Sequence, residues 1–115
     1  MPDFVYKVAD DKSFEAARQR GVYAGAPIDL ADGFIHLSTA EQLAETLRLH
    51  FKGQGGLLLA AVDTSKLGEG LRWEPSRGGA LFPHFYGKLE MSAIAWTEAI
   101  AVDEEGNCTL PARLG

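Results

Sequence analysis

The chain has 115 residues, which is enough for one domain with one hydrophobic core and too few for two. A hydrophobic fraction of 46% and a charged fraction of 23% exclude a disordered or collagen-like chain. The formal net charge is −5, and there is no cluster of lysine or arginine, so binding to nucleic acid or to an anionic membrane is not expected. We predict a single domain over residues 1–115.

The sequence also predicts a cytoplasmic location. The only cysteine, Cys108, has no second cysteine with which to form an internal disulfide. The N-terminus is acidic from Asp3 and lacks the apolar stretch of a signal peptide. The most apolar run, residues 55–62, is far shorter than the roughly 20 residues that cross a bilayer.

The chain begins with a predicted strand and a predicted helix. Residues 4–9 are rich in β-branched and aromatic side chains, which is typical of a strand. Residues 10–21 predict a helix that is capped by Asp11 or Ser13 and ended by Gly21.

A second strand and helix follow an irregular segment. Residues 23–33 contain many turn-forming residues and predict no regular element. Residues 34–38 predict a short strand that leads into a helix over residues 39–51. Ser38 and Glu41 have the spacing of a capping box for that helix.

The second half of the chain predicts strands. Residues 57–63 form a continuous apolar run, which indicates a central strand buried on both faces. Residues 71–74 predict a short strand, residues 93–102 alternate large and small side chains as a strand does, and residues 108–111 predict a short final edge. This order of elements indicates an α+β fold with helices packed against a sheet.

The first candidate site is the end of the strand at residues 34–38. An extended backbone places Phe34, His36 and Ser38 on the same side, next to the N-terminus of the following helix. Backbone amides and the helix dipole favour an anion or a polar ligand there. The alternative is a buried, hydrogen-bonded histidine beside a serine that only caps the helix.

The second candidate site is the stretch "WEPSRGGALFPHFYG", residues 73–87. Its polar side chains have varied chemistry and lie close together in the sequence, as at many binding loops. They are Glu74, Ser76, Arg77, His84 and Tyr86.

Each polar residue of this stretch suggests a role. Arg77 offers a planar donor group that suits phosphate, and Gly78 and Gly79 allow a ligand to approach backbone amides. Glu74 or His84 would move a proton. The alternative is a structural Ω-type loop in which Arg77 pairs with Glu74 and the glycines only turn the chain.

Other residues give weaker signals. Tyr6 and Lys7 point to opposite faces of the first strand, so at most one of them is expected to face a cleft. His50 is interpreted as the end of its helix. The three histidines have no paired spacing, so no metal site is predicted.

Three motifs carry a resemblance to a known family: "DGFIHLST", "LLLAAVD" and "LRWEPSRGGALFPHFYG". On these motifs the chain is identified as a member of the uncharacterised bacterial family called domain of unknown function 952. That family is grouped with the ADP-ribosyltransferase-like fold. The resemblance therefore implies a split, mixed β-sheet with two main helices and a cleft able to hold NAD.

The order of motifs is also similar to that of RNA 2′-phosphotransferases of the same fold. His36 and Ser38 match the His-Leu-Ser strand of those enzymes. Where they place a histidine on the first strand to hold the NAD ribose, this chain has Tyr6 and Lys7.

The sequence thus leads to the hypothesis of a nucleotide- or NAD-binding enzyme, of ADP-ribosyl or phosphoribosyl transferase type, with a phosphorylated small molecule as its partner. The predicted catalytic residues are His36, Glu74 and His84, and the predicted ligand-binding residues are Ser38, Arg77, Gly78, Gly79 and Tyr86. The alternative is a module of the same fold that binds a ligand or a partner without catalysis. A third hypothesis, a purely structural partner domain, predicts that His36→Ala and Arg77→Ala change neither ligand binding nor any activity and alter only stability.

Overall fold

The computed structural model describes residues 2–114, except for the side chain of Arg77. This part of the chain contains three α-helices, all in its first half, and eight strands, which confirms the α+β class. In chain order they are β1 (Phe4–Asp10), α1 (Asp11–Arg20), β2 (Val22–Tyr23), α2 (Pro27–Asp32), β3 (Ile35–His36), α3 (Ala40–His50), β4 (Leu57–Asp63), β5 (Leu71–Pro75), β6 (Leu81–Phe85), β7 (Leu89–Glu90) and β8 (Ile94–Ile100).

The central sheet consists of β1, β4 and β8, with β4 in the middle as predicted. Successive residues of β4 face opposite sides of the sheet, and each side is covered by its own apolar cluster. Leu58 and Ala60 pack with Phe14 of α1, whereas Leu57 and Leu59 pack with residues of α3. The apolar run of β4 is therefore explained by burial on both faces.

A second three-stranded sheet, the site sheet, has the order β3, β6, β5. A single bridge joins it to the central sheet: the N–H of Tyr6 donates to the carbonyl of Ser38 at 2.8 Å, and the N–H of Ser38 donates to the carbonyl of Tyr6 at 2.9 Å. Strands β2 and β7 pair separately. The sheet is thus split, but every pairing of the described strands is antiparallel, so the mixed character that the resemblance implies is not seen. The likeness to ADP-ribosyltransferases stays a prediction.

The caps of both main helices lie one residue from where they were predicted. The side chain of Asp10, and not of Asp11 or Ser13, accepts the N–H of Ser13 at 2.9 Å and starts α1, and Gly21 ends it as predicted with φ 85°. Thr39 starts α3 in a reciprocal pair with Gln42.

Ser38 and Glu41 do not form the predicted capping box. The backbone of Ser38 is held in the bridge to Tyr6, so the helix begins one residue later. Leu43 and Leu47 are fully buried on the predicted face of α3.

The irregular segment predicted over residues 23–33 instead contains α2. Pro27 occupies the first helical position, where its missing N–H costs nothing, and Gly33 ends the helix with φ 86°. No helix in the described part of the chain is long and apolar enough to cross a membrane.

The stretch over residues 73–87 is a β-hairpin and not a loop. Strands β5 and β6 pair from Leu71–Phe85 to Pro75–Leu81, and residues 76–80 form the turn. The short edge predicted at residues 108–111 is also not found as a strand in the described structure. Cys108 and Leu110 pack instead against the core cluster on the α3 side of the central sheet.

We expect a substitution at the base of this hairpin, Gly70→Ala, to lower the free energy of unfolding by about 1–3 kcal/mol. A Cβ atom at position 70 would lie 2.7 Å from the ring of Phe85 and 2.9 Å from the carbonyl oxygen of Tyr86. Urea denaturation measures the loss. Gly55→Ala is the matched control, since its Cβ would meet no atom within 4 Å; equal losses in the two variants would contradict the prediction.

Candidate functional site

A cavity of about 520 Å³ lies where β1 meets the site sheet. Three consecutive residues of β1, Tyr6, Lys7 and Val8, border it. We expected at most one of Tyr6 and Lys7 to face a cleft, and both residues border this one. Side chains alternate across the face of a strand, so a cavity that touches consecutive residues follows the edge of the strand rather than one face.

The two segments predicted to form a site meet at this cavity. His36 on β3 is the cross-strand partner of His84 on β6, and the centres of their rings lie 5.6 Å apart. Phe34 stacks on His84 at 4.1 Å and lies 4.6 Å from His36, ring centre to ring centre. Both histidines border the cavity.

Both ring nitrogens of His36 face carboxylates of α2. Nδ1 lies 2.6 Å from Oδ1 of Asp29, and Nε2 lies 2.9 Å from Oδ2 of Asp32. Both contacts are hydrogen bonds only when the ring carries two protons, because a neutral imidazole has one donor. Neither nitrogen is left for a ligand unless one of these contacts breaks.

Asp29 is the centre of a buried polar network. Its Oδ2 accepts from Nζ of Lys7 at 2.8 Å and from the N–H of Ala26 at 2.7 Å, and its Oδ1 accepts from the N–H of His36 at 3.0 Å. The side chain of Asp29 is only 1% exposed and that of Lys7 only 6%. A buried charge needs this number of partners.

The pKa values of Asp29 and Lys7 both lie below their ordinary values, for different reasons. Burial acts to raise the pKa of Asp29, but the Lys7 ammonium and the hydrogen bonds from Lys7 and His36 outweigh it, so the pKa lies below its usual range. Burial lowers the pKa of Lys7, and the attraction to Asp29 opposes this without reversing it. The Asp29 carboxylate is therefore the firmly charged member of the pair.

His84 has a different environment, with one nitrogen held and one not. Its Nδ1 lies 2.8 Å from Oε1 of Glu74, which also accepts the hydroxyl of Tyr86 at 2.7 Å. The hydrogen bond from Tyr86 and, to a smaller extent, the one from His84 lower the pKa of Glu74. The hydrogen bond between Tyr86 and Glu74 also raises the pKa of Tyr86. Among the described residues, no hydrogen-bond partner reaches Nε2 of His84, although the side chain is only 7% exposed.

The other predicted ligand-binding residues fall in different places. Ser38 borders the cavity, with its hydroxyl 3.1 Å from Oγ1 of Thr46. Gly78 and Gly79 lie in the hairpin turn with φ of 62° and 81°, and the N–H of Gly79 donates to the carbonyl of Ser76. The prediction that the side chain of Arg77 binds phosphate lies outside the described structure. Tyr86 is partly exposed, with the guanidinium of Arg72 5.0 Å from its ring centre.

Sequence reasoning missed Asp29 and Asp32, which hold His36. Their signal was available: Pro27 followed by Asp29 and then Gly33 is the pattern of a short helix with an acidic first turn. His50, assigned only to a helix end, also borders the cavity. The burial of Lys7 had no local signal, because lysine is rarely buried.

The lining of the cavity differs in composition from the rest of the protein. The three histidines of the chain, His36, His50 and His84, all border it, together with Lys7. No aspartate or glutamate is found among the described residues of the lining, although the chain has a net charge of −5. Within residues 2–114, leaving aside the side chain of Arg77, no group of three or more histidine, cysteine or acidic side chains is placed to hold a metal ion.

The chain resembles known proteins of unassigned function. A family model described as "Protein of unknown function (DUF952)" matches residues 8–97. The crystal structure of protein CC0527 from Caulobacter crescentus is 43% identical, with a TM-score of 0.89, and the match covers 96% of this chain and 97% of that one. The solution NMR structure of CC0527 is 44% identical over 91% of this chain and 90% of that one, with a TM-score of 0.80. No curated protein matches the chain.

Proposed function

The chain belongs to the family described as protein of unknown function DUF952, and we propose that it binds a nucleotide or another phosphorylated small molecule, NAD included, in the cavity between β1 and the site sheet. The observation that carries this proposal is the set of polar side chains in the lining. All three histidines and one lysine border a cavity without a described carboxylate, in a protein that is acidic overall. Carboxylates behind the lining hold Lys7 and His36, so it is the presence of N–H donors without a carboxylate at the cavity surface, rather than a net charge, that favours the oxygens of a phosphate over a cationic ligand.

The remaining lining suits the non-phosphate part of a nucleotide. Ile28, Leu37, Phe51 and Phe82 give the cavity apolar walls, and its volume lies in the range of small-molecule sites. The hydroxyls of Ser38 and Thr46 lie at the same cavity and suit the hydroxyl groups of a ribose.

If the protein is a transferase that acts on this ligand, His84 is the residue that is placed to transfer a proton. Glu74 on Nδ1 orients the ring, and Nε2 remains to accept a proton from an attacking hydroxyl or to donate one to a phosphate. His36 fits a positioning role instead, because Asp29 and Asp32 occupy both of its nitrogens. Glu74 then acts through His84 rather than as the base itself.

A non-catalytic binding module is the second candidate, and one observation favours it. Lys7, which stands on the first strand, is held by Asp29 and by the carbonyl of His36 at 3.2 Å. A side chain held in this way does not replace the histidine that grips the NAD ribose in RNA 2′-phosphotransferases. The two candidates differ in turnover and not in binding.

The test is a thermal and calorimetric titration with NAD, ADP-ribose, AMP and inorganic phosphate, with adenosine as the uncharged control. A phosphorylated ligand at a hundred times its dissociation constant should stabilise the fold by about 2.7 kcal/mol, and adenosine should do much less. If none of the phosphorylated compounds raises the melting temperature or gives heat, the proposal fails. Release of nicotinamide from NAD separates the enzyme from the module.

A further inference from the structure

The outer edge of the central sheet is a second surface, and it lies away from the cavity. Strand β8 pairs with β4 on one side, and no strand pairs with its other side in the described part of the chain. A groove of about 340 Å³ runs along this strand and is bordered by four consecutive residues, Ile94 to Thr97, and by Met91 and Arg18. Nη2 of Arg18 donates to the hydroxyl of Thr97 at 2.6 Å. Consecutive residues again mark the edge of a strand rather than its face.

The register shows which backbone groups this edge presents. The N–H and carbonyl of Tyr6 point away from β4, because both bond to Ser38. Its partner Ala61 must then turn its own groups toward β8, where it lies opposite Trp96. Since the direction alternates along a strand, the N–H and carbonyl groups of Thr97 and Ala99 point outward from the sheet.

The edge has few of the features that keep sheets from pairing. It carries no proline and no lysine, and its β-branched and aromatic residues favour a strand. One register shift lies near Ala61 and Val62, so the regular part of β8 begins at Trp96. Its only charge, Glu98, is 3.2 Å from Nε of Arg113.

From these observations we propose that β8 pairs antiparallel with β8 of a second copy of this chain, centred on Thr97. Only the outward-facing residues Thr97 and Ala99 can exchange hydrogen bonds with the second copy. The symmetry axis therefore passes through Thr97, through Ala99, or through Glu98, which would place Thr97 of one copy opposite Ala99 of the other. A centre at Glu98 brings two like charges directly opposite each other, which disfavours it. A centre at Thr97 places two neutral side chains opposite each other. The hydroxyl of each Thr97 accepts from Arg18 of its own copy at 2.6 Å, and Glu15, 3.2 Å from that guanidinium, balances its charge.

The opposite charges of Glu98 and Arg113 also favour the register centred on Thr97. In that register Glu98 lies opposite Trp96 of the second copy. The guanidinium of Arg113 lies 4.9 Å from the centre of the Trp96 ring in each copy. Each Glu98 therefore meets the arginine of the other copy as well as its own, and the two central sheets become one six-stranded sheet.

Sedimentation velocity of the full chain tests this proposal. We expect the mass to rise from 12.4 kDa toward twice that value as the concentration increases from low micromolar to millimolar. Thr97→Lys places two ammonium groups opposite each other on the symmetry axis and should weaken the dimer at least about tenfold. Gln19→Lys, which adds the same charge on the exposed part of α1, should leave the dimer unchanged.

A mixture of variants tests the register itself. Thr97→Lys and Thr97→Glu should each be weak dimers alone and should form a mixed dimer when combined, because opposite charges then face each other. Thermal melting confirms that each variant is folded. A wild-type mass that stays at 12.4 kDa throughout, a Thr97→Lys dimer as strong as wild type, or a mixture no stronger than its components would each overturn the proposal.

Discussion

Replacement of Asp29 by asparagine is expected to lower the free energy of unfolding by about 3–5 kcal/mol. The two oxygens of Asp29 accept from Nζ of Lys7, from the N–H of Ala26, and from the backbone and ring of His36. An amide keeps one acceptor and turns its NH₂ group toward groups that are themselves donors. It also leaves the Lys7 ammonium buried without an opposite charge.

Urea denaturation followed by tryptophan fluorescence measures this loss, and Asp32→Asn is the matched control. Asp32 contacts the same histidine, but its side chain is 45% exposed, so its removal should cost less than about 1 kcal/mol. If Asp29→Asn does not fold, Lys7→Met gives a second measure of the same pair. Equal losses for Asp29→Asn and Asp32→Asn would show that the buried network is not what stabilises this region.

The second large effect concerns His84 and rests on the proposed function in its enzymatic form. We expect His84→Gln to slow the release of nicotinamide from NAD by about 10²–10⁴-fold, because glutamine cannot exchange a proton at the position of Nε2. The initial rate at saturating NAD, with calorimetry to confirm that NAD still binds, gives the measurement.

Tyr86→Phe is the control for His84→Gln, since it removes one hydrogen bond to Glu74 and leaves the His84–Glu74 contact in place. Its rate should fall less than about tenfold. A wild-type protein that binds NAD but releases no nicotinamide would support the binding module. Full release by His84→Gln would show that this histidine moves no proton.

The long elements could be predicted because burial imposes a period on the sequence. The continuous apolar run of β4 and the four-residue spacing of Leu43 and Leu47 in α3 each reflect a face that the structure buries. The caps were displaced by one residue, because adjacent polar residues compete for the same position and tertiary contacts decide between them. Thr39 rather than Ser38 caps α3 for that reason.

The short element α2 could not be found by periodicity, since its six residues make less than two turns. Ala26 precedes it and has no polar side chain to cap it. The hairpin of residues 73–87 was mistaken for a loop because Pro75 and the glycines of its turn are typical of loops. These residues belong to the end of a strand and to the turn.

The candidate site was predictable in part. The sequence predicted His36, Glu74 and His84 as site residues, and the structure places His36 opposite His84. It could not show which histidine keeps a free nitrogen, because that depends on Asp29 and Glu74, which come from different elements. Such pairings depend on the tertiary fold and leave no mark in local spacing.

The bridge between Tyr6 and Ser38 has a mechanical consequence. It is the one pairing between the central sheet and the site sheet in the described residues, and both of its members border the cavity. Lys7 of β1 adds a second link, since its Nζ donates to the carbonyl of His36 on β3, and Ile35 and Phe85 of the site sheet belong to the same apolar cluster as β4. Separation of the two sheets along this line would therefore disrupt the buried network of Asp29 and one of the two apolar clusters. The width of the entrance is thus set by the fold, and a ligand must fit the space that the two sheets leave.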